Sequence, residues 1–142
     1  QKQRKVESAL KVTPAQILDL MKAFQTRSEI YQKTHGVHGA ALCDASGILL
    51  FKEDIGRHNA IDKIFGHCLM GGIPLEDRII MTTGRISSEI LFKVAKRNIP
   101  IIVSRSTPTD LAVGLAGELG ITLVGFVRGG QMNVYAEAGR IG

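Results

Sequence analysis

Apolar residues along this chain switch repeatedly between a helical and a strand spacing, and the switches predict its elements. Ile17, Leu20, Met21 and Phe24 recur at i, i+3, i+4 and i+7, one face of a helix. Thr13-Pro14-Ala15-Gln16 opens that helix, with Thr13 as N-cap, Pro14 at the first helical position and Gln16 at the reciprocal capping position. The spacing stumbles at Thr26-Arg27-Ser28 and resumes at Ile30 and Tyr31, which predicts two helices or one kinked helix. His38 to Cys43, the turn Asp44-Ala45-Ser46-Gly47, and Ile48 to Lys52 read as a hairpin, because Asp at the first turn position and Gly at the fourth suit a type I turn.

The alternation continues to the C-terminus. Helices are predicted over Gly56 to Met70, with Ile61, Ile64, Phe65 and Cys68 inward, over Ser87 to Asn98, and over Thr107 to Gly120 with Thr107 or Ser106 as cap before Pro108. Strands are predicted over Arg78 to Thr83, Pro100 to Ser104, Ile121 to Val127 and, after the Gly129-Gly130 turn, Met132 to Ala136. Short apolar strands joined by helices imply an α/β fold, a three-layer sandwich on a mixed, mostly parallel sheet with an antiparallel starting hairpin.

In such a sheet, ligands bind where strand ends feed helix starts. Asp54-Ile55-Gly56-Arg57-His58-Asn59 combines a glycine, an arginine, a histidine and an asparagine at one helix start. Thr83-Gly84-Arg85-Ile86-Ser87-Ser88-Glu89 is a second, with Ser87 as cap, and Ser104-Arg105-Ser106-Thr107-Pro108-Thr109 is a third. Capping accounts for the hydroxyls. It does not account for an arginine in all three loops, which fits an anion held by guanidinium and backbone N–H groups. A fourth segment, Gly125-Phe126-Val127-Arg128-Gly129-Gly130-Gln131, is either a hairpin turn or a close approach to a ligand, with Phe126 offering a ring face.

Charge and composition narrow the choice. With 142 residues, 44% hydrophobic, the chain suits one globular domain. Its net charge of +5 favours an anionic partner. The absence of Trp and of any Lys/Arg stripe argues against nucleic acid. No run of 18 apolar residues or signal peptide is visible, so a soluble cytoplasmic protein without a membrane partner is expected. Cys43 and Cys68 sit in apolar surroundings and read as reduced, buried and unreactive. His35 and His38 lack a Cys pair to complete a zinc site, so no metal is expected. His58, between Asp54 and Asp62 in sequence, is either a general base or a histidine held by a carboxylate for structural reasons.

The segments HGVHGAALCD, EDIGRHNAIDK, TTGRISSEI, STPTDLAVGLAGELGITLVGF and VRGGQMNVY, in this order and spacing, resemble the formate dehydrogenase accessory protein FdhD family, whose members act as sulfur carriers. The resemblance runs from about residue 13 to Ile141. It implies a cytidine-deaminase-like fold, often a homodimer. It also implies an activity: sulfur passes from a cysteine desulfurase to the molybdenum bis(molybdopterin guanine dinucleotide) cofactor before that cofactor enters formate dehydrogenase. The family's persulfide cysteine lies in an upstream Cys-x-x-Cys loop, and this chain has no such pair. The expectation is therefore a single C-terminal cofactor-binding domain over 1–142 that does not itself transfer sulfur, with no catalytic residue assigned.

By the same resemblance, the family's cofactor segment corresponds to Phe126, Val127, Arg128, Gly129, Gly130 and Gln131, with Gln131 standing where an Arg is frequent. Arg57, Arg85 and Arg105 join Arg128 as diphosphate ligands, Ser87 lies beside them, and His58 and Asn59 position the ligand. A guanine nucleotide is the natural surrogate. Two other readings stand beside this one: a scaffold binding a phosphate ligand or a protein, and a nucleoside-deaminase-like enzyme, which would need metal ligands and a catalytic Glu that the sequence does not group.

Overall fold

The computed structural model describes residues 4–31 and 36–142, so His35 of the His35/His38 pair lies outside the described residues. Its elements in chain order are α1 (Pro14–Tyr31), β1 (His38–Asp44), β2 (Gly47–Asp54), α2 (Arg57–Gly71), β3 (Ile79–Thr82), α3 (Ser88–Lys96), β4 (Ile101–Ser104), α4 (Asp110–Leu119), β5 (Thr122–Arg128) and β6 (Gln131–Ala136). One six-stranded sheet has the order β2-β1-β3-β4-β5-β6.

Side chains of the central strands alternate between two cores, as the period of two requires. Ala41, Cys43, Ile79, Met81, Ile101 and Val103 face α1, where Ile17, Leu20, Met21 and Phe24 are buried. Ala40, Leu42, Ile80, Ile102 and Leu123 face the opposite layer, built from α2, α3 and α4. These are the three layers expected from the sequence.

The pairing is less parallel than expected. Only β3–β4 and β4–β5 are parallel, whereas β1 is antiparallel to both β2 and β3, and β6 to β5. The reason is that the hairpin occupies one edge with β2 outermost, so that β1, which runs against the other strands, is the one that pairs with β3. Even so, β2, β3, β4 and β5 all run in one direction, so their carboxyl ends lie on one side of the sheet.

Local signals mostly set the boundaries. Thr13 Oγ1 accepts from the Gln16 N–H at 3.1 Å and Gln16 Oε1 accepts from the Thr13 N–H at 2.9 Å, a reciprocal box contributing about 1 kcal/mol. The Asp44 carboxylate closes the β1–β2 turn by accepting from Ser46 and Gly47 N–H groups at 2.9 and 3.0 Å. One alternative is decided and one expectation gives way. Of the two readings for the first helix the structure takes the single one, with Thr26 Oγ1 donating to the Lys22 carbonyl at 3.0 Å and Ser28 buried beneath Gly39 where the spacing stumbles. The cap of α4 is Thr109, not Thr107 or Ser106, because Pro108 is held extended in a parallel bridge with Ile86 and the Thr109 N–H donates to the Ile86 carbonyl at 2.9 Å.

Candidate ligand-binding site

Because β2, β3, β4 and β5 point the same way, the four segments singled out from the sequence emerge on one edge. Hydroxyl groups tie them together there. Thr83 Oγ1 accepts from the Gly39 N–H at 3.1 Å and lies 3.2 Å from His38 Nδ1. Ser106 Oγ donates to the Thr83 carbonyl at 2.9 Å, and Ser104 Oγ donates to the Gly84 carbonyl at 2.7 Å. The Phe126 N–H donates to the Ser106 carbonyl at 3.0 Å. The loops after β3, β4 and β5 and the start of β1 thus form one bonded unit.

Arg57, the first residue of α2, lays its stem against the second loop. A Cβ added to Gly84 would come within 2.8 Å of Arg57 Cβ and Cδ, so glycine is required by this approach. Arg128 donates from Nε and Nη2 to the Arg105 carbonyl at 3.4 Å, and its guanidinium lies 4.5 Å from the Phe126 ring centroid. Phe126 itself adopts φ 55° at a bulge, an uncommon state for a bulky residue, and its ring is exposed. Arg85 is exposed as well.

Among the described residues, none of Arg57, Arg85, Arg105 and Arg128 has a carboxylate within ion-pair distance, and the nearby acids Asp54 and Asp62 are paired with Lys63 and Lys93. The buried Nε atoms of Arg57 and Arg105 also lack a hydrogen-bond partner, a costly state for a guanidinium unless a ligand supplies acceptors. Arg78 and Arg140 have an unpartnered Nε too, so that feature alone marks no site. The distinguishing feature is four uncompensated cations on one bonded edge.

Several candidates turn out to have local duties. Ser87 Oγ accepts from the Ile90 N–H at 3.2 Å as the cap of α3. Asp54 Oδ1 accepts from the Gly56 N–H at 3.1 Å and from Asn59 Nδ2 at 3.5 Å, so Asn59 helps to shape the start of α2. Gly129 and Gly130 have φ 57° and 78°, the two positive values of a type I′ hairpin turn that pairs Arg128 with Gln131. Val127 is buried in the core beneath α1, so its side chain presents nothing to a ligand. His58 is half-buried, but both acids near it in sequence are engaged by lysines: Asp54 by Lys63 at 2.9 Å and Asp62 by Lys93 at 3.0 Å. The alternative of a histidine held by one of these carboxylates therefore has no contact behind it.

The sequence matches the FdhD/NarQ family over residues 1–142. The chain belongs to that family. It is 52% identical over 134 residues to the sulfur carrier protein FdhD of Bacillus subtilis (strain 168), covering 94% of this chain and 51% of the relative. It is 48% identical over 134 residues to the sulfur carrier protein FdhD of Staphylococcus aureus (strain MRSA252), again covering 94% of this chain and 51% of the relative. The chain therefore spans about half the length of these relatives. A crystal structure of a proposed formate dehydrogenase accessory protein from Desulfotalea psychrophila superposes with a TM-score of 0.87 at 34% identity, covering 97% of this chain and 60% of that one.

In this FdhD/NarQ chain both cysteines are buried. Burial, with a smaller push from Asp44, raises the Cys43 thiol to about 12, and burial raises Cys68 as well. Both shifts disfavour the thiolate, the reactive form of a cysteine. No grouping of His, Cys, Asp and Glu able to hold a metal occurs among the described residues, and no helix of the described residues is long and apolar enough to cross a membrane. Two features were missed in the sequence. The His38–Thr83–Ser106 linkage was signalled only by the density of hydroxyls at strand ends. A groove of about 370 Å³ between α1 and the β5–β6 turn had no signal, because its two walls are about 110 residues apart in sequence.

Proposed function

We propose that this chain is the cofactor-binding half of a sulfur carrier required for formate dehydrogenase activity, and that its arginine edge holds the guanine dinucleotide arms of the molybdenum bis(molybdopterin guanine dinucleotide) cofactor. Family membership supports the sulfur-carrier reading. The observation that carries the ligand is the set of four arginines without carboxylate partners, two of them with a buried Nε that no protein atom satisfies. Diphosphate is the anion whose several oxygens suit such a set, through bidentate guanidinium contacts and the free N–H groups at the starts of α2, α3 and α4.

In this reading Arg57, Arg85, Arg105 and Arg128 neutralise phosphate, Phe126 offers a ring face to stack on, and Gly129 and Gly130 let backbone approach the ligand. The cofactor is cargo. The buried, protonated thiols of Cys43 and Cys68 leave sulfur transfer to a cysteine that this chain does not carry. A cysteine desulfurase as donor, formate dehydrogenase as recipient, a homodimeric assembly and a cytoplasmic location complete the proposal. The bland alternative is a scaffold domain with no small ligand, which the basic edge disfavours because uncompensated buried guanidinium atoms weaken a fold that gains nothing from them.

The test is calorimetric titration of the chain with guanosine diphosphate. Micromolar to millimolar binding that weakens about tenfold in each of Arg85→Ala and Arg128→Ala is expected, since each removes a charge-assisted hydrogen-bond set. Unchanged affinity in both variants overturns the shared site.

A further inference from the structure

The arginine loops supply charge, but they leave the recognition of a base unexplained. The groove between α1 and the β5–β6 turn supplies what they lack. Leu18 and Met21 give it apolar surface, Asp19 a carboxylate, and the Val127–Gly130 backbone forms the facing wall. Neither Gly129 nor Gly130 has any atom near the place where a Cβ would stand, so that wall is open to a flat ring. At about 370 Å³ the groove sits at the small end of ligand pockets, the size for one nucleoside rather than a whole dinucleotide cofactor.

Two further observations give it direction. Arg128 lines the groove and also donates to the Arg105 carbonyl, so one side chain joins the groove to the arginine loops. Asp19 is exposed on α1 and, although Lys22 follows within one turn, has no ion-pair partner among the described residues. A free carboxylate beside an apolar surface, with a cation at the far end, is chemically complementary to one kind of nucleotide. Guanine presents two adjacent donors, N1–H and the 2-amino group, which a carboxylate accepts with both oxygens. Adenine presents an unprotonated N1 at the same place, which a carboxylate repels.

We propose that this groove seats the base of the guanine nucleotide and that Asp19 is its specificity-determining residue, accepting from N1–H and the 2-amino group. The inference rests on the reading that the arginine edge binds a guanine nucleotide. It adds a residue and a face of the molecule, because α1 lies across the sheet from the helices that carry the other loops.

The chain and its Asp19→Ala variant are titrated with guanosine diphosphate, inosine diphosphate, which lacks the 2-amino group, and adenosine diphosphate. Asp19 is exposed within a helix and alanine is a strong helix former, so the variant keeps its thermal unfolding midpoint. The unaltered chain is expected to prefer guanosine over inosine diphosphate by about fivefold or more, and over adenosine diphosphate by more still. The variant is expected to lose about tenfold in guanosine diphosphate affinity and to bind the guanosine and inosine forms alike. A variant that keeps the preference of the unaltered chain overturns the role of Asp19, as does an unaltered chain that binds guanosine and inosine forms equally. A folded chain that binds no guanosine diphosphate overturns the reading of the arginine edge, and this inference with it.

Discussion

The two edges of the sheet use the same side chain for opposite ends. On the edge away from the loops, Arg140 is buried, and its terminal nitrogens donate to the carbonyls of Pro100, Gly120 and Val6. Its neighbour Glu137 accepts from the N–H groups of Ala138, Arg140 and Ile141 at 2.7, 3.0 and 3.0 Å. That cluster ties the N-terminal segment, the end of α4 and the chain terminus to one point. On the opposite edge Arg57, Arg85, Arg105 and Arg128 have no carboxylate, and two of them leave a buried Nε without a partner. A buried arginine surrounded by acceptors serves the fold, whereas arginines gathered without carboxylates are, on the function proposed above, there for a ligand.

The largest expected consequence is at Arg140. Arg140→Ala strips donors from three carbonyls and opens a cavity, and should lower the unfolding free energy by about 2–4 kcal/mol in urea denaturation. Arg85→Ala and Arg128→Ala, by contrast, should change it by less than about 0.5 kcal/mol while weakening nucleotide binding. If Arg140→Ala were as mild as the other two, the division between the edges would be wrong. Gly84→Ala sharpens the comparison from within the binding edge. The new methyl meets Arg57 Cβ, which is fixed to the backbone and cannot swing away, so a loss of about 1–3 kcal/mol is expected together with weaker binding.

Acid gives the smallest effect. Hydrogen bonds from Lys63 and the Gly56 N–H hold Asp54 down to about 2. At Glu137 burial pushes upward, but the N–H groups of Arg140, Ala138 and Ile141 and the Thr122 hydroxyl outweigh it, and the carboxyl titrates below its ordinary value. Both groups bind protons more weakly in the folded chain than in the unfolded one. Their contribution is therefore present above the ordinary carboxylate range and is lost as pH falls through it toward 2. The urea midpoint should decline below about pH 5, and Glu137→Gln and Asp54→Asn should each flatten part of that decline, modestly because neither carboxylate is buried.

Much of this was legible in the residues. The Thr13/Gln16 box, the Asp44 turn and the Ser87 cap are decided within a few positions, and the structure reproduces them. The α4 cap was misplaced because a contact from Ile86, more than twenty positions away, holds Pro108 extended. At the candidate site the four arginines were found by their recurrence at strand ends. Which groups His58 meets was not legible: nearness in sequence to Asp54 and Asp62 does not reveal that Lys63 and Lys93 take both acids.

By itself the sequence determined the period of each element, the caps of α1 and α3, and the recurrence of an arginine at or just beyond the strand ends of the candidate site, since these depend on spacings of a few residues. Only the tertiary structure decided that β1 slots between β2 and β3, that Arg57 rests on Gly84, that Phe126 takes a left-handed turn to face Arg128, and that α1 closes a groove against the Gly129-Gly130 turn. Each of these joins segments distant along the chain, and their energies exist only after the sheet has brought those segments together.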